Sequence, residues 1–233
     1  MASRHVIDLS HRIADGTITY PGLPAPSITW DVTHEQSRPH YDEGTEFGFV
    51  RLNMTGNTGT YLDSPLHRFE GGADVTGFDL DRLVSVPGVV LRIAEGSKGW
   101  PVIAPDAFAG LDLAGKAVLF HTGWASRFGT PEYVGGHPYL TEDAAVALVA
   151  ASVALVGIDS LNIDGTEGGA RPAHTTLLAA GVPIVEHLRG LELLPDAGFA
   201  FSAIPLNFEG LATSPVRAVA VVCSSPSDRR RTR

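Results

Sequence analysis

Sulfur is scarce in this 233-residue chain, which has one cysteine, Cys223, and two methionines. A lone cysteine forms no intramolecular disulfide, so a disulfide-stapled scaffold is excluded. Its place after the apolar run Ala218 to Val222 suggests a buried, inert thiol in a reducing compartment. Long apolar runs are also missing: even Ala144 to Val156 falls short of the roughly 20 residues a helix needs to cross a bilayer. The first residues lack the continuous apolar segment of a secretory signal, so no export is expected and the cytoplasm is the expected location. Positive charge is in deficit. Against 26 acidic side chains stand 17 Lys and Arg, a formal net charge of −9, and such a surface repels nucleic acid and anionic lipid. No internal repeat is visible. The only biased segment is the polar tail Ser224 to Arg233 with its four arginines, read as a frayed end to a domain spanning residues 1–223.

With 44% hydrophobic and 18% charged residues, the chain can bury one substantial core. Its 26 glycines and 16 prolines are spread along the length, the pattern of many short elements joined by tight turns. Nine segments rich in β-branched or aromatic residues read as strands: Val6 to Leu9, Ser27 to Val32, Phe47 to Met54, Gly88 to Ile93, Ala117 to Phe120, Ala154 to Ile158, Val182 to Val185, Phe199 to Leu206 and Arg217 to Val222. Thr141, with Glu142 and Asp143 behind it, caps a helix over Ala144 to Ala151; Pro172 opens another through Leu178, stopped at Gly181. A single α/β domain with a β-rich core and a few flanking helices is expected.

The densest polar stretch runs from Asn53 through Asn57, Gly59, Thr60, Tyr61, Asp63, Ser64 and Pro65 to His67. Its two glycines and Pro65 argue for an irregular loop after the strand Phe47 to Met54. In extended geometry Asn57, Tyr61 and Asp63 share one side, as a set of ligands or hydrogen-bonding groups would. The same residues also suit a turn in which Asn57 and Asp63 cap backbone amides.

Asn57 to His67 resembles the signature of the bacterial cyclase family, which includes metal-dependent kynurenine formamidase and isatin hydrolase: His-x-Gly-Thr-His-x-Asp-x-Pro-x-His. Gly59, Thr60, Asp63, Pro65 and His67 match it, while Asn57 and Tyr61 stand where the family has histidines. Further blocks follow in the family's order: Ile7 to His11 with Tyr20-Pro21-Gly22, Thr122-Gly123-Trp124, Gly157 to Ser160, Pro172-Ala173-His174, Gly181 to Glu186, and Pro205-Leu206 through Ser214 to Ala218. The resemblance implies a swivelling β/β/α-type fold and a homodimer or higher homo-oligomer with its active site near a subunit interface. It also implies hydrolysis of small amides or lactams at a divalent metal held by the two histidines and the aspartate, with the counterparts of His174 and Glu186 completing a second metal or lining the pocket and that of His67 moving protons.

A carboxamide and a phenol are poor metal ligands, so a site without metal is expected. Asp63, His67, His174, Glu186, Tyr61 and Asn57 are then the catalytic set of a cyclase or dehydratase-type lyase, acting by acid–base chemistry on a small carbonyl compound. The association of some relatives with antibiotic biosynthesis points to a polyketide-like secondary metabolite. Two alternatives stand beside this reading. One is a hydrolase of small amides or lactams with one zinc or manganese held by Asp63, His174 and Glu186; the other is a binding protein that kept the pocket. Tyr20, Trp124 and His137 are candidate substrate contacts. His137 and Tyr133 lie on a glycine-rich stretch that reads as a lid or as a plain surface loop, and Tyr20 and Trp124, like Phe47 and Phe49, suit an aromatic substrate or the core. His34, His40 and Tyr41 suit a gate or exposed loop residues. Arg217 is expected to pair with Asp159 or another acid, and Asp159 and Asp164 to cap turns.

Overall fold

The computed structural model describes residues 3–93 and 102–224; the tail beyond Ser224 lies outside them. The strands are β1 (Ser3–Asp8), β2 (Ser27–Val32), β3 (Phe49–Asn53), β4 (Tyr61–Asp63), β5 (Val86–Arg92), β6 (Val102–Ile103), β7 (Ala117–His121), β8 (Tyr139–Leu140), β9 (Leu155–Ile158), β10 (Ile184–Glu186), β11 (Ala197–Ser202), β12 (Thr213–Pro215) and β13 (Val219–Ser224). The helices are short: α1 (His34–Ser37), α2 (Pro65–Arg68), α3 (Glu142–Ala150) and α4 (Pro172–Ala179). This is the expected strand-rich α/β domain.

A nine-stranded sheet in the order β1-β13-β11-β5-β7-β9-β10-β4-β12 forms the centre. Strands β5, β7, β9 and β10 run parallel, and both flanks pair antiparallel. Side-chain alternation along each strand divides the interior in two. Val118, Phe120, Val156, Ile158 and Ile184 face α3 and α4, which bury Ala144, Leu148, Ala173 and Leu177 against them. Leu62, Leu119, Val185 and Phe201 fill the opposite layer. The Thr141 hydroxyl caps α3 by accepting from Ala144 N at 3.0 Å, as its place before two acidic residues predicts.

All nine predicted strands and both predicted helices are present. The stretch read as an irregular loop is partly a strand, β4, clamped between β10 and β12; three residues are too few to show a period in sequence. Cys223 is exposed, because its turn of the alternation on β13 points away from the core that takes Ala220. Arg217 pairs with Asp8, through Nη2–Oδ2 at 2.7 Å, and Asp159 holds the Thr122 and Gly123 amides instead. No helix among the described residues is long and apolar enough to cross a membrane.

Strands β2 and β3 form a separate antiparallel ribbon. Its cross-strand pairs Ile28–Leu52 and Trp30–Val50 share one face, and these four are 39%, 52%, 56% and 52% exposed. The charged side chains on the two strands pair with each other, Arg51 with Asp31, and Arg38 in the segment between them pairs with Glu46.

Candidate active site

Strand β4 brings the signature to the sheet. Its alternation sends Leu62 into the core and Tyr61 and Asp63 to the α4 side, and the antiparallel register sets Tyr61 opposite Glu186 and Asp63 opposite Ile184. The approach to β4 is close: a Cβ on Gly56 would lie 2.2 Å from Thr213 Oγ1 and 2.3 Å from Thr213 O, and Gly59 has φ +68°, so neither position accepts a side chain without displacement. Helix α4 adds His174 from its first turn.

Asp63, His174 and Glu186 are buried, and one ligand atom from each lies within 4.8 Å of the others. His174 Nε2 is 3.7 Å from Asp63 Oδ2 and 3.6 Å from Glu186 Oε1. Its Nδ1 sits 2.7 Å from Asp164 Oδ2. Asp164 also accepts from Ala173 N at 2.7 Å and His174 N at 2.9 Å, so this one carboxylate caps α4 and fixes the imidazole with Nε2 toward Asp63 and Glu186. Glu186 is held at both oxygens, by the Tyr61 hydroxyl at 2.6 Å and by the Ile163 amide at 2.6 Å. Asn57 accepts from Thr213 Oγ1 at 3.0 Å. His67, on α2 and partly open to solvent, places Nε2 3.9 Å from Asp63 Oδ1.

Asp63 is the anomaly. It is fully buried, yet neither carboxylate oxygen has a hydrogen-bond partner among the described residues. A buried carboxylate left in that state costs several kcal/mol unless a cation faces it. The neighbours register the crowding of negative charge. Burial lowers the proton affinity of His174, but the hydrogen bond to Asp164 and the nearby negative charges of Asp63 and Glu186 outweigh it and push the imidazole up to about 10. Burial, aided by the charge of Asp63, lifts Glu186 to about 7. Burial and the charges of Glu186 and Asp63 hold Tyr61 well above the ordinary phenol value, so it remains a donor. Two carboxylates, one of them with both oxygens free of hydrogen bonds, and one oriented imidazole in a single buried cluster are a donor set for zinc or manganese. That fit argues against the metal-free site expected from Asn57 and Tyr61.

The other expected residues lie elsewhere. Trp124 is buried and donates from its indole nitrogen to Tyr133 O at 2.9 Å, in a small cluster that Tyr20 packs against. His137 is buried on the far side of Asp164, bonding its carbonyl at 3.0 Å. Beyond Tyr61, the buried His187 adopts φ 55° and shares a 2.7 Å hydrogen bond with the Tyr133 hydroxyl; burial depresses it to about 3, so it stays neutral and serves as a wall for the Tyr61 ring, 5.1 Å away. Sequence reasoning treated Asp164 as a turn cap and missed its hold on His174; the signal was its place eight residues before Pro172. It also passed over Arg68 and Arg171, which with His67, Asn162 and His174 line a cavity of about 200 Å³. A larger cavity of about 450 Å³, at the ends of β7 and β9, contains none of these residues.

The Cyclase family model matches residues 7–165. The chain is 29% identical over 217 residues to a kynurenine formamidase of Salinibacter ruber, covering 92% of this chain and 96% of that one. A kynurenine formamidase of Geobacillus thermodenitrificans is likewise 29% identical, over 214 residues. Among solved structures, isatin hydrolase A of Ralstonia solanacearum superposes with a TM-score of 0.76 at 25% identity, over 94% of this chain and 92% of that one. A protein described as a potential metal-dependent hydrolase with cyclase activity gives 0.76 at 30% identity, over 94% and 98%. These likenesses support an enzyme of hydrolase type. The cyclase or dehydratase-type lyase expected from the two lost histidines finds no support in them, and neither does antibiotic biosynthesis.

Proposed function

The chain belongs to the Cyclase family, and on that footing we propose that it is a metal-dependent hydrolase of a small amide or lactam, with one divalent zinc or manganese ion held by Asp63, His174 and Glu186. The observation that carries this reading is the fully buried Asp63 carboxylate with two unpartnered oxygens. With Asn57 and Tyr61 in place of two imidazoles, the chain retains donors for one ion instead of two. When bound, such an ion would polarise the scissile carbonyl and lower the pKa of water toward neutrality.

The chain's own groups supply the rest. Asp164 keeps a proton of His174 on Nδ1, so the proton an ion would displace is the one on Nε2, the ligand atom. Tyr61 and the Ile163 amide fix Glu186. Tyr61, bonded to Glu186, and Asn57, bonded to Thr213, serve as a brace where the family has ligands. His67 Nε2, at the boundary between the buried acids and solvent, takes a proton from the attacking water and returns it to the departing nitrogen.

Elemental analysis of the purified protein is expected to give one zinc or manganese per chain. Dialysis against a chelator is expected to remove hydrolysis of N-formylkynurenine or isatin, and added metal to restore it. Metal at a thousandfold excess over its dissociation constant is expected to stabilise the fold by about 4 kcal/mol. An active enzyme free of metal and indifferent to chelator would restore the metal-free acid–base reading.

We further propose that the protein works as a homo-oligomer in which the apolar face of the β2–β3 ribbon is covered by a second copy. A two-stranded ribbon is marginal alone in water, and with its charges already paired, what it offers is the patch of Ile28, Trp30, Val50 and Leu52. Light scattering is expected to show at least a dimer, and W30E/V50E to reduce the mass to one chain with the circular dichroism of the domain unchanged. A monomeric parent protein would refute this.

A further inference from the structure

Four arginines of the described chain are ion-paired: Arg38 with Glu46, Arg51 with Asp31, Arg92 with Asp196 and Arg217 with Asp8. Two at the mouth of the site are not. Arg68, next to His67 at the end of α2, donates Nε to Thr175 Oγ1 at 2.9 Å and lies 5.3 Å over the Phe69 ring. Arg171, immediately before α4, directs Nη1 to the carbonyls of Gly165, Gly168 and Ala170 at 3.2, 2.7 and 2.7 Å. Thr175 Oγ1 closes the arrangement by donating to Arg171 O at 2.7 Å. The two guanidinium groups are thus braced by neutral partners, and both border the cavity of about 200 Å³ that His174 also lines. The guanidinium nitrogens not used in these bonds have no carboxylate partner among the described residues.

In a chain of formal net charge −9, cationic groups left unneutralised at a site mouth attract an anion, and guanidinium matches a carboxylate in geometry as well as charge. We propose that Arg68 and Arg171 are specificity residues that select a substrate bearing a free carboxylate close to its scissile amide. This rests on the hydrolase reading above and narrows its substrate class. The carboxylate is held at the rim, and its ionic contact orients the scissile carbonyl toward Asp63, His174 and Glu186 below.

A matched pair of substrates tests it: 2-formamidobenzoate, an anion, against neutral formanilide. The parent enzyme is expected to favour the anion in kcat/KM by at least about tenfold, mainly through KM. R68Q and R171Q are each expected to shrink that preference about tenfold or more, R68K to keep part of it, and higher salt to weaken it. Calorimetry with 2-aminobenzoate and aniline reads binding without turnover. The metal-loaded parent is expected to bind the carboxylate and not the amine alone, with affinity falling at least tenfold in both glutamine variants. Equal use of the two substrates, or carboxylate affinity unmoved by both variants, overturns the proposal while leaving hydrolysis itself standing. If neither substrate is turned over, hydrolysis is in question and calorimetry alone decides whether the arginines hold a carboxylate.

Discussion

Asp63→Asn is expected to lower kcat/KM for hydrolysis by about a thousandfold or more, to abolish stoichiometric metal, and to make the metal-free protein more stable. The first two effects follow from removing a ligand at the centre of the group: Asp63 lies beside both His174 and Glu186, and no other carboxylate of the cluster is left without partners. Metal-supplied stabilisation of the transition state is worth several kcal/mol, and about 4 kcal/mol is a thousandfold in rate. The third effect has the opposite sign for the same reason. In the metal-free state this carboxylate is desolvated, with no hydrogen bond and with an imidazole nitrogen no nearer than 3.7 Å. Replacing it by a neutral amide of the same shape relieves about 1–3 kcal/mol. Because the charge of Asp63 also helps to lift Glu186 and His174, both are expected to move back toward ordinary values. Chemical denaturation of chelated parent and variant, beside metal analysis and kinetics, checks all three. A chelated variant less stable than the parent, or one retaining metal, would show that Asp63 is satisfied in some other way.

Asp164→Ala is expected to weaken metal binding by about 10- to 100-fold without removing any ligand. It also costs the protein about 1–2 kcal/mol, since α4 loses the cap that accepts from Ala173 N and His174 N. Asp164→Asn separates the two roles. Its amide oxygen still accepts from the helix, so most of the stability returns, but without the anionic charge the His174 Nδ1 proton is held less firmly and metal affinity stays reduced. Competition against a chromophoric chelator measures the affinity, and melting of the metal-free proteins measures the cap. Unchanged affinity in both variants would leave Asp164 as a structural cap alone.

The fold was legible because its strands are short apolar runs bounded by glycine and proline, and because Thr141 and Pro172 mark helix starts by local chemistry. Strands β4 and β12 were not: three residues each, they are strands only because β10 and one another supply partners. Of the site, Asp63, His67, His174, Glu186, Tyr61 and Asn57 were all named from sequence, and the structure brings them together. What sequence concealed was the state of Asp63. Two substitutions among its neighbours suggest an absent metal, whereas only the folded structure reveals a carboxylate without hydrogen bonds. Asp164 was hidden by the same locality: near Asn162 and Gly165 it reads as a turn residue, and its bond to His174 depends on how the chain returns into α4. Trp124 shows the converse, a block residue whose place in the family pattern reflects packing.

The ligands of the site are far apart along the chain, on β4, α4 and β10, with roughly 110 residues between the first two. Closing so long a loop is entropically slow to be repaid, so the cluster assembles only when most of the sheet is already paired. A cation bound at the proposed site would therefore arrive too late to hasten folding. On the proposed reading its influence would fall on the reverse reaction: β4 would leave its place between β10 and β12 only after the ion is surrendered, so the loaded protein is expected to be long-lived more than quick to form.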